Sequence, residues 1–164
     1  MTIVLIGPPG SGKTRLGKRV ARALGLAFVD TDKLVVAGHG AIADIFAEHG
    51  EPHFRVLERA AVVKALAQDA VVSLGGGAIL DADTQADLAG RRVALITVSA
   101  DAVASRIGGT KRPLVTSVES WTALVEARRE IYERLASRSW DTSNRPLDQI
   151  AVDIADWAKE TTGE

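Results

Sequence analysis

Cysteine is absent from the 164 residues of the chain. Its absence excludes a disulfide framework and any metal site built from thiolates. A chain without disulfides is consistent with a reducing compartment, so we expect a cytoplasmic protein.

The chain also lacks a large net charge and a long apolar run. Its net charge is −1, whereas nonspecific nucleic-acid binding requires a positive surface, so we expect no nucleic-acid partner. No apolar stretch approaches the roughly 20 residues of a membrane-spanning helix. The first residues carry no basic region and run into a glycine loop, so we expect neither a signal peptide nor a membrane partner. The length and ordinary composition predict one domain over residues 1–164, which we expect to be a monomer.

Short apolar runs alternate with helical patterns along the chain. The first four runs have few charges, as is typical of strands buried on both faces of a parallel sheet. Predicted strands are Thr2–Ile6, Leu26–Val29, Ala70–Leu74, Arg92–Val98 and a short one near Ser139–Asp141. Predicted helices are Lys13–Leu24, Ala41–His49, Glu51–Ala67, Asp81–Leu88, Asp101–Ile107, Val118–Leu135 and Pro146–Lys159. This alternation predicts an α/β fold with a mainly parallel sheet.

One motif lies between the first strand and the first helix. The segment from Gly7 to Thr14, GPPGSGKT, matches the pattern of a phosphate-binding P-loop. We expect the backbone of Gly10, Ser11 and Gly12 to surround the phosphates of ATP. Lys13 would contact the β- and γ-phosphates, and the Thr14 hydroxyl would bind Mg²⁺. The alternative, a glycine-rich turn with a chance lysine, lacks support because both flanking elements are predicted as well.

Polar residues follow the second strand at Asp30-Thr31-Asp32. Ligands of open parallel sheets gather at the carboxyl ends of the strands. One carboxylate there could reach a metal through water, while the other accepts a proton from an attacking hydroxyl group. The alternative is that either aspartate caps the helix that follows.

Three consecutive glycines, Gly75, Gly76 and Gly77, end the third strand. Such a run allows close approach to the backbone, which favours a small ligand there, although a tight turn is the alternative. Arg55 lies one turn from Glu58, a spacing that is also common in surface ion pairs. Arg128 and the adjacent Arg129 are each also compatible with a solvated helix surface. Together with a P-loop, two arginines could bind a substrate carboxylate.

The segment from Gly108 to Leu114, GGTKRPL, has the composition of a mobile lid. An arginine that arrives on closure, here Arg112, would stabilise charge on the transferred phosphoryl group. The alternative is a flexible basic loop without a catalytic role.

In combination these motifs resemble the shikimate kinase family, a relative of the nucleoside monophosphate kinases, over nearly the whole chain. The resemblance is carried by GPPGSGKT, DTD at 30–32, IADIF at 42–46, FRVLE at 54–58, SLGGGA at 73–78, KRPLV at 111–115 and DTSNRP at 141–146. The apolar stretch Leu34-Val35-Val36 and the sequence Glu130-Ile131-Tyr132 depart from the family pattern.

The resemblance implies a fold, a reaction and a set of residue roles. The fold is the three-layer P-loop NTPase fold, a five-stranded parallel sheet flanked by helices, with an acceptor-binding helical insertion at about 32–61 and a lid at about 108–120. The reaction is ATP-dependent phosphorylation of shikimate, with Lys13, Asp32 and Arg112 as the catalytic residues. Implied acceptor-binding residues are Asp32, Phe46, Phe54, Arg55, Gly75, Gly76, Gly77 and Arg128. Thr14 and Asp30 would bind magnesium, and Arg106, Arg112, Arg145 and Pro146 would contact the nucleotide.

Two other functions remain open at this point. A kinase of the same fold could use another anionic acceptor, such as gluconate or a nucleoside monophosphate. Alternatively, the chain could be a nucleotide-binding module without catalysis, although the combination of Lys13, Asp32 and Arg112 argues against it.

Overall fold

The computed structural model describes residues 1–107 and 117–160, and in this part of the chain a five-stranded parallel sheet forms the centre of the molecule. The strands are β1 (Ile3–Ile6), β2 (Ala27–Asp30), β3 (Ala70–Ser73), β4 (Arg92–Thr97) and β5 (Arg138–Asp141). Their order is β2-β3-β1-β4-β5, and every neighbouring pair is parallel. The predicted five-stranded sheet is confirmed.

Helices connect the strands and cover both faces of the sheet. They are α1 (Lys13–Leu24), α2 (Thr31–His39), α3 (Ile42–His49), α4 (Glu51–Leu66), α5 (Ala82–Leu88), α6 (Ala100–Ile107), α7 (Val118–Leu135) and α8 (Leu147–Lys159). A short 3₁₀ helix spans Ala78–Leu80. The nine residues of the predicted lid from 108 to 116, including Arg112, lie outside the described residues.

Alternate residues of the central strands enter two separate cores. Ile3 and Leu5 of β1 pack with α1 and α8 on one face of the sheet. Val4 and Ile6 pack on the other face, with residues of α4, α5 and α7. This alternation follows from the two-residue period of a strand. The result is the predicted arrangement of three layers, helices on both sides of a sheet.

Two sequence predictions about the region after α1 were wrong. The second strand was expected to be buried on both faces, yet Ala27 is exposed and the rest of β2 is only half-buried. In the described part of the chain β2 pairs with β3 alone, so it forms an edge of the sheet. The residues after Asp30 were not predicted to be helical, but they form α2, which begins at Thr31.

Helices α2, α3 and α4 share a small core of their own. Val35, Ile45, Phe54 and Ala61 are buried in it. The three helices around this core span most of the predicted insertion at about 32–61. The role of the insertion in acceptor binding stays a prediction. Among the helices of residues 1–107 and 117–160, none combines the length and apolar character needed to cross a membrane.

Candidate active site

The P-loop is shaped by glycines that contact the sheet and open α1. A Cβ atom at Gly7 would lie 2.1 Å from the carbonyl oxygen of Ile96 in β4, so only glycine fits there. Gly10 and Gly12 have φ values of +79° and +94°, the left-handed region that favours glycine. The Lys13 amine donates hydrogen bonds to the carbonyl oxygens of Gly7 at 2.8 Å and Pro8 at 3.0 Å. The loop therefore holds the lysine ammonium group against its own backbone, next to the helix N-terminus.

Asp30 connects the P-loop with the start of α2. One of its oxygens, Oδ2, accepts a hydrogen bond of 3.0 Å from the Thr14 hydroxyl group. The other, Oδ1, accepts from the backbone N–H groups of Asp32 and Lys33, and thus caps α2. The capping interpretation is therefore confirmed for Asp30, while a role of its other oxygen at a metal stays a prediction. The cap also directs the half-buried Asp32 from the first turn of α2 into the cleft.

Four titratable side chains approach the glycine run: Asp32 and Glu58 at Gly75, Arg55 at Gly77, and Arg128 at Gly76, where Pro9 lies closer. A Cβ atom at Gly75 would lie 2.5 Å from Asp32 Oδ1, and one at Gly77 would lie 2.5 Å from Arg55 Nη1. At Gly76 the corresponding position is 3.5 Å from Arg128 Nη1. None of the three glycines has a positive φ. Both expectations therefore hold: side chains of the protein approach the run closely, and the run also forms a turn, in which the Ala78 N–H donates to the carbonyl oxygen of Gly75 at 3.0 Å.

Arg55 forms a partly buried ion pair rather than the surface pair that its spacing allowed. Its Nη1 donates to Glu58 Oε1 at 2.8 Å, and its Nη2 donates to Glu51 Oε1 at 3.1 Å. Glu58 is only 3% exposed. Burial raises the pKa of Glu58 to about 7, an effect that Asp32 reinforces and that Arg55 and Arg128 oppose. A carboxyl group beside the cleft therefore titrates near neutral pH.

The two adjacent arginines of α7 have different surroundings. Arg128 is 5% exposed and lines the cleft, whereas Arg129 is exposed and pairs with Glu126 one turn away. The guanidinium group of Arg128 also interacts with the Tyr132 hydroxyl group, which donates a 2.8 Å hydrogen bond to the carbonyl oxygen of Gly76. Burial raises the pKa of Tyr132, so its hydroxyl group stays protonated. Arg128 is thus the inward arginine of the pair.

Of the residues predicted to contact the nucleotide beyond the P-loop, Arg106 and Arg145 line the cleft and Pro146 does not. Arg106 donates hydrogen bonds to the carbonyl oxygen of Gly10 at 3.1 Å and to Thr142. Arg145 lines the cleft and pairs with Asp153 at 2.7 Å. Pro146 is exposed and does not line the cleft, whereas its neighbour Leu147 does. Ser11, a residue of the P-loop itself, is fully buried, and its hydroxyl group has no hydrogen-bond partner among the described residues.

One continuous cleft of about 1030 Å³ joins the P-loop to the glycine run. Its walls include Phe46 and Phe54, whose ring centroids are 5.1 Å apart. The predicted site residues that line it are Gly10, Gly12, Lys13, Thr14, Asp30, Asp32, Phe46, Phe54, Arg55, Gly75, Gly76, Gly77, Arg106, Arg128 and Arg145. Cations thus occur at both ends of the cleft, with an apolar wall on the side of the insertion.

Sequence reasoning missed three residues that hold the walls of the cleft together. Trp121 donates from its indole nitrogen to the carbonyl oxygen of Pro9 at 2.8 Å, and Thr142 donates to that of Ser11 at 2.6 Å. Tyr132 is the third, through its bond to the glycine run. Trp121, Arg128 and Tyr132 are the buried residues of α7. Their spacing of seven and four residues is a helical period, and this was the signal available in the sequence.

The family model, two relatives by sequence and two solved structures share one description. The family model described as shikimate kinase matches residues 9–159. A shikimate kinase of Streptomyces avermitilis is 45% identical over 94% of this chain and 93% of its own length, and one of Streptomyces coelicolor is 44% identical over 90% of each. A solved shikimate kinase of Acinetobacter baumannii in complex with shikimate superposes with a TM-score of 0.90 at 28% identity, covering 96% of this chain and 92% of that one. A shikimate kinase structure from Aquifex aeolicus gives a TM-score of 0.80 at 29% identity, with 94% of each chain covered.

Proposed function

Because this chain belongs to the shikimate kinase family, we propose that it transfers the γ-phosphoryl group of ATP to a hydroxyl group of shikimate. The products are shikimate 3-phosphate and ADP. The observation that supports the choice of acceptor is the convergence of two guanidinium groups, those of Arg55 and Arg128, and two carboxyl groups, those of Asp32 and Glu58, on three consecutive glycines. A small molecule with one carboxylate and several hydroxyl groups matches this set of charges.

Arg55 and Arg128 supply the positive charge for the acceptor's carboxylate. Both guanidinium groups are oriented before any ligand arrives, Arg55 by Glu51 and Glu58, and Arg128 by Tyr132. A planar guanidinium group can offer two parallel N–H donors to a carboxylate, and a group held in place loses little entropy on binding. The acceptor ring would lie along the backbone from Gly75 to Gly77, with Phe46 and Phe54 on its apolar side.

Asp32 has the position of the group that accepts the proton of the attacking hydroxyl. As this proton moves to the carboxylate, the acceptor oxygen bonds to the γ-phosphorus. The bond from the γ-phosphorus to the oxygen that bridges the β- and γ-phosphates breaks, and ADP leaves with that oxygen. Lys13 stabilises the negative charge on the phosphate oxygens throughout. The protein thus contributes position and charge rather than covalent chemistry.

The residues at the start of α1 also fit a magnesium ion. Magnesium in kinases commonly keeps several waters and uses one or two protein oxygens together with the substrate phosphates. The Thr14 hydroxyl group and the Asp30 carboxylate, 3.0 Å apart, form such a donor set. When bound, the ion would neutralise charge on the β- and γ-phosphates.

An assay of ADP release tests the acceptor. Purified protein is given ATP and magnesium with shikimate, gluconate or a nucleoside monophosphate, and ADP is measured with a coupled dehydrogenase. We expect saturable turnover with shikimate and almost none with the others. Turnover with gluconate and none with shikimate would reject the proposal. Asp32→Asn should lose turnover severely and still bind ATP, whereas unchanged function would indicate a module without catalysis.

The adjacent arginines provide a matched pair of variants for the acceptor site. Arg128→Ala removes a buried cation that faces the cleft, and Arg129→Ala removes an exposed cation one residue away. We expect the first to raise the KM for shikimate by about 30-fold or more, since loss of a charge-assisted hydrogen bond costs about 2 kcal/mol or more. The second should leave the KM within a factor of two. Equal effects of the two variants would contradict the assigned role.

A cytoplasmic location and a monomeric state belong to this proposal as well. ATP is consumed in the reaction, and a cytoplasmic enzyme has direct access to it. Light scattering coupled to gel filtration measures the mass in solution and would reveal a dimer.

A further inference from the structure

Five consecutive carbonyl groups of the P-loop accept hydrogen bonds from side chains. The Lys13 amine donates to the first two, those of Gly7 and Pro8. The other three donors come from distant parts of the chain and are Trp121 for Pro9, Arg106 for Gly10 and Thr142 for Ser11. The proposed reaction assigns no task to Trp121.

Trp121 is a buried residue near the start of α7. Its side chain is 3% exposed and packs with Val98 and Val103. Its indole nitrogen lies 2.8 Å from the carbonyl oxygen of Pro9. A buried indole N–H group usually finds a hydrogen-bond partner, so a tryptophan with a purely structural role would make such a bond as well. What distinguishes a further role is the peptide unit that accepts the bond.

This peptide unit also carries a donor of the phosphate-binding loop. The carbonyl group of Pro9 and the N–H group of Gly10 belong to one planar peptide bond. Every peptide bond within residues 1–107 and 117–160 is trans, so this N–H group points in the direction opposite to the carbonyl group, away from Trp121. Gly10 lines the cleft. A side chain that fixes the carbonyl group of Pro9 therefore also fixes the direction of the Gly10 N–H group.

The peptide unit between Pro9 and Gly10 is the central one of a tight turn. The Ser11 N–H group donates to the carbonyl oxygen of Pro8 at 3.3 Å, and Gly10 has a φ of +79°. These features match a type II turn with proline second and glycine third. Type I and type II turns differ by a reversal of the central peptide unit, which glycine permits at little cost. Without a restraint, the Gly10 N–H group could point to either side of the loop.

We infer that Trp121 is a positioning residue of the phosphate site. Its bond to Pro9 keeps the turn in the type II form, in which the Gly10 N–H group points away from α7 and toward the phosphates. The ring of Pro9, 3.2 Å from the position of a Cβ atom at Gly76, connects this turn with the acceptor side of the cleft. This inference rests on the proposed function, since it takes ATP as the phosphoryl donor.

Removal of the indole N–H group tests the inference. Trp121→Phe keeps an aromatic ring in the core and removes the donor. Calorimetry gives the Kd of ADP, and displacement of ADP gives that of adenosine, which has no phosphate. The Kd of ADP should rise about five- to tenfold, because a donor that is no longer oriented loses most of a hydrogen bond to a charged group. The Kd of adenosine and the KM for shikimate should stay within a factor of about two, because neither ligand depends on this N–H group.

A second replacement removes the N–H group and keeps the shape of the ring. Benzothienylalanine, introduced at position 121 with a suppressor tRNA, has a sulfur atom where tryptophan has the indole nitrogen. It should raise the Kd of ADP as Trp121→Phe does. Because it fills the same space in the core, the test does not depend on whether the smaller phenylalanine allows the chain to fold.

Trp140→Phe is the matched control. Trp140 is also buried, at 7% exposure, but it packs in the other core with residues of α1 and α8 and is not one of the donors to the P-loop. This variant should lose stability in urea, because it leaves a cavity, and should bind ADP and adenosine as the unmodified chain does.

Three results would overturn the inference. They are an unchanged Kd of ADP in the benzothienylalanine variant, equal weakening of ADP and adenosine, and the same rise in the Kd of ADP in Trp140→Phe. Failure of the unmodified protein to bind ADP would instead count against the proposed function, so the two failures are distinguishable.

Discussion

Glu58 offers a direct test of the electrostatics of the acceptor site, through the stability of the folded chain. Its pKa is raised from 4.5 to about 7, chiefly because the carboxyl group is buried. Between these two pH values the folded state binds more protons at this site than the unfolded state does. Stability therefore falls as pH rises through the window from 4.5 to 7, and the effect levels off above it.

The size of the effect follows from the two pKa values. Linkage gives a destabilisation by Glu58 of less than about 1 kcal/mol at pH 5 and of about 3 kcal/mol at pH 8. Glu58→Gln keeps the shape of the side chain and removes its titration. The free energy of unfolding of this variant, relative to the unmodified chain, should therefore increase by about 2 kcal/mol from pH 5 to pH 8. The interaction with Arg55 is already included in the pKa of about 7 and adds nothing further to this difference.

Urea unfolding followed by circular dichroism at several pH values measures this difference. Comparison with the unmodified chain cancels the contributions of all other titrating groups. Glu133→Gln is the matched control, because Glu133 is an exposed glutamate of α7 and should give curves parallel to the unmodified chain. Parallel curves for Glu58→Gln as well would refute the reasoning, since they would mean that burial does not perturb this carboxyl group.

Three further predictions concern the walls of the cleft. Gly77→Ala places a methyl group 2.5 Å from the guanidinium nitrogens of Arg55. The KM for shikimate in the ADP-release assay should therefore rise at least tenfold. An unchanged KM would mean that Arg55 plays no part in acceptor binding. Tyr132→Phe removes the hydrogen bond to Gly76 and should lower the free energy of unfolding, measured in urea, by about 1 kcal/mol. An unchanged free energy of unfolding would show that this hydrogen bond contributes nothing to stability. Thr14→Ala should raise the magnesium concentration for half-maximal activity severalfold, and a magnesium titration that superposes on that of the unmodified chain would exclude the hydroxyl group as a ligand.

The strands and the P-loop were predictable because their signals are local. Strand β1, the loop and α1 follow one another within 24 residues, and each has its own pattern. Helix α2 gave no such signal. Its sequence contains Val35 and Val36, which favour strands, and Gly38, and Val35 is its one apolar side chain that is buried. Its helical state is therefore decided by Asp30 at the N-cap and by packing against α4.

In the predicted acceptor site, the sequence identified the charged side chains but did not identify the groups that they contact. The arginines and Asp32 were identified from sequence, and the choice between Arg128 and Arg129 could have been made from the helical period that begins at Trp121. Glu58 was underestimated, because a spacing of three residues does not reveal whether a pair is buried. The bond between Trp121 and Pro9 spans 112 residues of sequence, and only tertiary packing brings such groups together.

The glycine run limits what substitutions this part of the chain can accept. At Gly75 and Gly77 the space that a side chain would occupy is taken by the protein's own carboxylate and guanidinium groups. A mutation there disturbs the charged cluster before any acceptor is present, so selection against it does not depend on which acceptor is used. A related kinase with a different acceptor would keep the glycines as long as it kept the cluster. Three glycines in a row are therefore a marker of the charged cluster, and information about the acceptor lies in the charges of that cluster rather than in the glycines themselves.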